Sequence, residues 1–268
     1  MLVVAIRYNI AQLISMAILL KVVYIVKSLY IRLVTLINFF AMAINHLTIK
    51  KLVDFRKLSE RSQLTFANSL KIPIKPKVNE DESGGNYWIR STSGVSTAFK
   101  ENDTDVIRER IEALQTDYES NDNRLTRIMY ERNLDILYKY EDFDFSIWYP
   151  TPSLNFISKT RESLTIKDIP LKIFPHHVFS YGDKESPKVG AILFVTSIDG
   201  YELEDLGIFS EAVFKYLTEQ HSKKYEVDPK FCLTVNTATL QAATYQQILD
   251  GKIKSQFVNT INTLKKYL

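Results

Sequence analysis

Two adjacent histidines, His176 and His177, are the side chains in this chain best suited to acid–base or metal chemistry. They stand in Leu171-Lys172-Ile173-Phe174-Pro175-His176-His177-Val178-Phe179, an apolar run that reads as a strand. Neighbours on a strand point to opposite faces, so the pair cannot grip one metal ion from regular β geometry. One of them could join a site if the fold brought partners to it, and the candidates are Asp183, Glu202, Asp205 and Cys232. A hydrolase built this way would use His177 as its base, with Asp183 and Glu202 nearby. A metal-dependent nuclease would further want an Asp on one strand and Glu-x-Lys on the next, and Glu162, Asp168 and Lys172 lack that order. No Cys-x-x-Cys or His-x-x-x-His spacing accompanies the histidines, so no metal and no cofactor is expected.

Other reactive signatures fail as well. The eight glycines never cluster as G-x-G-x-x-G or G-x-x-x-x-G-K, and no Gly-x-Ser-x-Gly elbow occurs. The single cysteine, Cys232, lies in the apolar run Phe231–Val235 and reads as a buried, inert thiol. One cysteine excludes an internal disulfide and suits a reducing compartment.

The elements that must position these residues can be read from periodicity. Val178–Tyr181 and Lys188–Val195 flank the turn Gly182–Pro187 and predict an antiparallel pair. An amphipathic helix is expected from Leu203 to His221, then a strand Phe231–Val235 that begins after Asp228-Pro229. Ile192, Phe194, Phe209, Val213, Leu233 and Val235 should be buried together. A C-terminal amphipathic helix is expected over about 245–267, nicked at Gly251.

Upstream, Val106, Ile107, Ile111, Leu114 and Tyr118 predict one helix, and Leu125 through Tyr140 predict another. The short polar turn Ser120-Asn121-Asp122-Asn123 between them argues for a helical hairpin. Its acids lack the histidines of a carboxylate-bridged metal site and read as a solvated face. One helix is expected over Thr48–Leu70, with Thr48 as N-cap. Its Lys50, Lys51, Arg56, Lys57 and Arg61 could touch nucleic acid, but no second helix follows at a short turn, so a solvated face is the expectation. Residues 72–102 read as a loop containing a short strand, Tyr87-Trp88-Ile89, with Trp88 as a packing anchor.

Phe143–Tyr149 reads as a strand or aromatic hinge, and Phe145, Trp148 and Tyr149 are expected to form an exposed protein-binding surface. The fold class is α+β: an apolar N-terminal helix, a helical hairpin, then a small, mostly antiparallel sheet packed by helices. Boundaries fall at 1–41, 42–142 and 143–268.

Charge is unevenly placed. The first acid is Asp54, whereas Arg7, Lys21, Lys27 and Arg32 precede Met42. Without those four the chain has 30 basic and 31 acidic residues, so the body is neutral. That weighs against a non-specific polyanion-binding surface over the whole domain, and nucleic acid is not the expected partner. Residues 1–41 are apolar but interrupted, with neither half reaching the roughly 20 apolar residues of a clean span. Arg7, Lys21 and Arg32 fall near one helical line, which suits a helix lying on an anionic membrane surface. The competing readings are a buried packing helix and a translation start that truly lies at Met42. The leading expectation is therefore a non-catalytic interaction or structural module, meeting a protein partner through Phe143–Tyr149 or an open sheet edge, cytoplasmic or held at the inner membrane by residues 1–41. The alternative is the nuclease-like hydrolase centred on His177.

Overall fold

The computed structural model describes residues 47–72, 87–160, 162–197 and 199–268, together with Lys27. All except Lys27 lie in one unit, Asn45–Leu268, and the expectations for residues 1–41 fall outside the described residues. Among the described residues no helix is long and apolar enough to cross a membrane.

The fold is α+β, with eight helices and two mixed sheets among the described residues. In chain order come β1 (Leu47–Thr48), α1 (Ile49–Arg56), α2 (Glu60–Leu70), α3 (Ile89–Glu101), α4 (Asp105–Glu119) and α5 (Arg124–Leu137). Two 3-10 turns, Tyr138–Tyr140 and Phe145–Trp148, lead into β2 (Asn155–Ile157), β3 (Leu164–Ile166), β4 (Ile169–Lys172), β5 (His177–Tyr181) and β6 (Lys188–Val195). Then follow α6 (Leu203–His221), β7 (Glu226–Asn236), β8 (Ala242–Thr244), α7 (Tyr245–Leu249) and α8 (Phe257–Tyr267).

The larger sheet runs β2-β5-β6-β7-β8. Its centre is the expected unit of hairpin, crossover helix and strand: β5 and β6 are antiparallel, and α6 carries the chain back to lay β7 parallel to β6. A small sheet, β1-β4-β3, holds β1 parallel to β4 with Leu47 opposite Leu171. The run 171–179 is thus not one strand. Pro175, which cannot donate to a ladder, lies in the break that sends β4 to one sheet and β5 to the other.

The larger sheet is packed on both faces. Ile192, Phe194, Leu233 and Val235 point into one core with Val95 and Phe99 of α3, Ile107 and Leu114 of α4, and Leu137 of α5. Side chains alternate along a strand, so Leu193 and Cys232 turn to the other face, where α6 packs. Phe209 and Val213 are buried on α6 and lie outside the first cluster, so the six core residues named from sequence are all buried but divide between two faces.

β7 is longer than its apolar run because a bulge absorbs Asp228-Pro229. Val189 pairs with Val227 and Ala191 with Cys232, so β7 spends three more residues than β6 there. Gly190 makes this possible: a Cβ on it would lie 2.7 Å from Phe231 Cβ and 2.9 Å from the Phe231 carbonyl oxygen.

Several boundaries differ from expectation. The helix read over Thr48–Leu70 is two, broken at 57–59, and the C-terminal helix is two, with Gly251 between them at a φ of +73°. Residues 89–101, read as loop and strand, form α3, while 73–86 lie outside the described residues. α3 has few large apolar residues because it packs close: Gly94 faces Leu137, where a Cβ would approach the Leu137 side chain to 3.0 Å. Its start is fixed by Asn133, fully buried on α5. The Asn133 amide oxygen accepts from the Ser91 N–H (3.0 Å) and hydroxyl (2.8 Å), and its nitrogen donates to the Tyr87 (2.9 Å) and Met129 (2.8 Å) carbonyls. All the hydrogen-bonding capacity of a buried amide is used.

Candidate functional site

The histidine pair stands where β5 enters the sheet, and the chain around it decides what each ring can do. The His176 N–H donates to the Ile192 carbonyl (2.8 Å), and its Nδ1 accepts from the Phe194 N–H (3.1 Å). A nitrogen that accepts an amide proton carries none itself, so neutral His176 bears its proton on Nε2. His177 Nε2 lies 2.8 Å from both the hydroxyl and the carbonyl oxygen of Ser96. A carbonyl only accepts, so this Nε2 also carries the proton. The His177 ring stacks on Phe99 at 5.8 Å and meets Phe156 edge-on at 5.4 Å.

Both imidazoles are held neutral. Burial pushes His176 down to about 4, helped by the nearby His177 and Lys159. Burial likewise lowers His177 to about 4, with Lys159 and Lys100 acting in the same direction and the Ser96 contact opposing them. The unfolded chain binds these protons near pH 6.5, so it holds more protons than the native state between about pH 4 and 6.5. Stability should therefore rise with pH across that window, and the contribution is lost as pH falls through it. Denaturant midpoints measured from pH 5 to 7 should show a clearly shallower slope for His177→Gln than for the wild type. Equal slopes would show that His177 titrates alike in both states.

The acids named from sequence do not gather at these rings. Asp183 is exposed in the β5–β6 turn, beyond the far end of a strand that rises roughly 14 Å from His177 to Tyr181. Glu202 is the exposed N-cap of α6, forming a capping box with Asp205. Asp205 is fully buried but faces Arg56 (2.6 Å) and Lys57 (2.9 Å). Asp168 is paired with Lys265, and Glu162 is exposed. The Cys232 thiol is buried and pushed well up by that burial and by Asp228. Among the described residues no three of His, Cys, Asp and Glu come together in a way that could hold a metal ion.

The aromatic stretch also requires a correction. Phe145 and Trp148 are only 2% and 5% exposed, and Tyr149 is half-buried with its hydroxyl donating to the Phe99 carbonyl. The 3-10 turn folds these rings inward over Tyr140 and Phe99, because burying that much aromatic surface outweighs presenting it to water. They form part of the core and not an open docking surface.

What surrounds the histidines is concave and basic. A cleft of about 300 Å³ opens at the carboxyl end of β6, with Leu193, Val195 and Phe209 at its base and Trp88 and Phe174 among its walls. The hydroxyls of Thr92 and Thr196 line it 3.4 Å apart, and Thr196 is bonded in turn to Thr237. Its charged lining residues are Lys50, at the start of α1, and Lys172, at the end of β4. β1 and β4 set those two strand ends side by side through the pairing of Thr48 with Lys172. Lys50 acts on Asp54, one turn along α1, but neither lysine has a carboxylate within ion-pair distance among the described residues. A second cleft, of about 370 Å³, is lined by Lys100, Lys159, Phe156, Ser158 and both histidines. The Lys159 ammonium donates to the His176 carbonyl (2.8 Å). His176 lines both clefts, and no carboxylate lines either among the described residues.

Sequence reasoning met Lys50 in one basic helix face and Lys172 beside Glu162 and Asp168, never together, and passed over Lys100 and Lys159. Nothing local marks them, since the four are separated by up to 122 positions and meet only through the topology. No protein-family model, no curated protein and no solved structure matches this chain.

Proposed function

We propose that the protein is a non-catalytic binding module whose first cleft takes a small anion carrying a flat apolar ring. The observation that supports this is the composition of the lining: two lysines and, among the described residues, no carboxylate, set over an apolar and aromatic base. An anion is favoured there by local field, whatever the neutrality of the body as a whole. A ring system finds Trp88 and Phe174 for stacking, and Phe174 is 47% exposed. The two histidines support binding over catalysis, because both are held neutral with backbone groups engaging their rings.

A protein partner at a sheet edge has less support. β8 covers only Leu233–Val235 of β7, and the uncovered stretch carries Glu226, Asp228, Pro229 and Lys230. Charges and proline on an edge oppose the addition of another strand.

The test is calorimetric titration with AMP, adenosine and inorganic phosphate. AMP should bind one to one, and each of the fragments should bind at least about tenfold more weakly, a difference of about 1.4 kcal/mol. Lys172→Glu should weaken AMP by about tenfold or more while the melting temperature holds. An absence of AMP binding, or indifference to Lys172→Glu, would refute the reading.

A further inference from the structure

We infer that the anion taken by the first cleft is a doubly charged phosphate monoester, seated at the start of α1 and engaged by the Nε2–H of His176. This rests on the reading of that cleft given above and deepens it, by naming the charge and shape of the anionic group.

Three observations carry it. The lining, among the described residues, is rich in donors. Its polar side chains are threonines, lysines, a histidine, a tryptophan and a tyrosine, all of which can donate a hydrogen bond, and none is an acceptor alone. The ligand must therefore bring the acceptors.

The positive charge, next, is doubled and gathered at one place. Thr48, Ile49 and Lys50 line the cleft in succession, so it opens on the N-terminus of α1, whose first turn holds no acid. The pairing of Thr48 with Lys172 sets the second lysine beside that helix start. Two ammonium groups and the positive end of a helix dipole match a group with about −1.5 to −2 charges and three strong acceptor oxygens. A carboxylate brings one charge and two oxygens, and leaves one lysine unanswered.

His176, finally, has a donor to spare. Its Nδ1 is taken by the Phe194 N–H, which places the proton on Nε2. That Nε2 has no partner among the described residues and is not sealed from solvent. The ring is tied to β6 through Nδ1 and the backbone through the Ile192 carbonyl, so little ordering entropy is lost when a ligand meets it. Because burial holds the imidazole neutral at pH 7, it adds a hydrogen bond to the anion and no third charge.

The deciding experiment is calorimetry at pH 7.5 with AMP, adenosine, adenosine 5′-sulfate and ribose 5-phosphate, on the wild type, Lys172→Glu and His176→Asn. The sulfate keeps the ring and three terminal oxygens but carries a single charge. Coulomb attraction scales with the product of the charges, so AMP should bind at least about tenfold more tightly than the sulfate. Lys172→Glu should weaken AMP by a larger factor than it weakens the sulfate. Ribose 5-phosphate lacks the ring and should bind at least about tenfold more weakly than AMP. In His176→Asn the amide oxygen stands where Nδ1 did and the Nε2–H is lost. That variant should keep the wild-type melting temperature, weaken AMP about tenfold and leave adenosine within about twofold. If AMP binds through Lys172 but the sulfate binds as tightly, the dianion inference fails and the proposed function stands. If neither nucleotide binds, both fall. The ratio of AMP to sulfate on the wild type tests the charge without any variant. AMP binding within about twofold of wild type in a folded His176→Asn would overturn the assignment of His176. A phosphoserine peptide binding as tightly as AMP would overturn the small-molecule reading itself.

Discussion

Replacing Phe99 by alanine should cost about 4–5 kcal/mol, the upper part of the range for a buried phenylalanine. Phe99 is fully buried near the C-terminal end of α3. Its ring lies within 6.5 Å of six others: Trp148, Tyr149, Phe156, His177, Phe179 and Phe194. Those neighbours come from the 3-10 turn, β2, β5 and β6, so they cannot all close on the cavity without moving several elements at once. Aromatic pairs add about 0.5–1.5 kcal/mol beyond area, and several are lost together. A domain stable by about 5–15 kcal/mol would be left marginal. Guanidinium denaturation of Phe99→Ala and Phe99→Leu decides the matter. The leucine variant should lose less than about half as much, and an alanine loss below about 2 kcal/mol would show that this ring does not join helices to sheet.

Asp205→Ala should cost about 3–5 kcal/mol, the scale on which breaking a buried ion pair falls. The carboxylate is wholly buried at the start of α6 and takes Arg56 at 2.6 Å and Lys57 at 2.9 Å, while accepting the Glu202 N–H at 3.1 Å. Truncation removes the negative end of all three contacts at the positive end of the helix dipole. The cations keep side-chain exposures of 28% and 36% and can hydrate, which holds the loss to the lower half of that range. Asp205→Asn keeps the cap and loses the charge, so it should fall between wild type and alanine. Chemical denaturation of the two variants measures this. A loss below about 1 kcal/mol for alanine would mean that α1 is docked on α6 by its apolar face alone.

How much of this was legible in the sequence depends on the kind of signal. The hairpin, crossover helix and β7 announce themselves because long apolar runs leave a strand or helix few alternatives, and the α4–α5 hairpin does so through its period and the polar turn at 120–123. α3 escaped because Ser91, Thr92, Gly94 and Ser96 are buried by close approach and not by hydrophobicity, a property of the neighbouring helix as much as of α3 itself. Phe145 and Trp148 show the converse: seven residues rich in aromatics read the same whether the rings face water or fold under a neighbour. The clefts are the least legible of all. Lys50, Lys100, Lys159 and Lys172 are ordinary surface lysines in the sequence, and the near balance of 30 basic and 31 acidic residues from Met42 onward conceals them because it averages over faces that the fold keeps apart.

The pairing of β1 with β4 has a further bearing, on the order of events during synthesis. Leu47 must wait for Leu171, and α1 and α2 must wait longer, because Phe55 meets the ring of Tyr267 at 6.5 Å and Lys71 reaches the Tyr267 carbonyl at 3.3 Å. At about 5–20 residues per second, roughly 10–40 s separate the translation of α1 from that of α8. Through that interval Leu52, Val53 and Phe55, all fully buried in the finished protein, lack part of the surface that covers them. Contacts this distant in sequence also slow folding, since the loop they close must be ordered before they are gained. The α4–α5 hairpin is complete as soon as Leu137 is made, whereas the segment that carries Lys50 to its cleft is docked among the last.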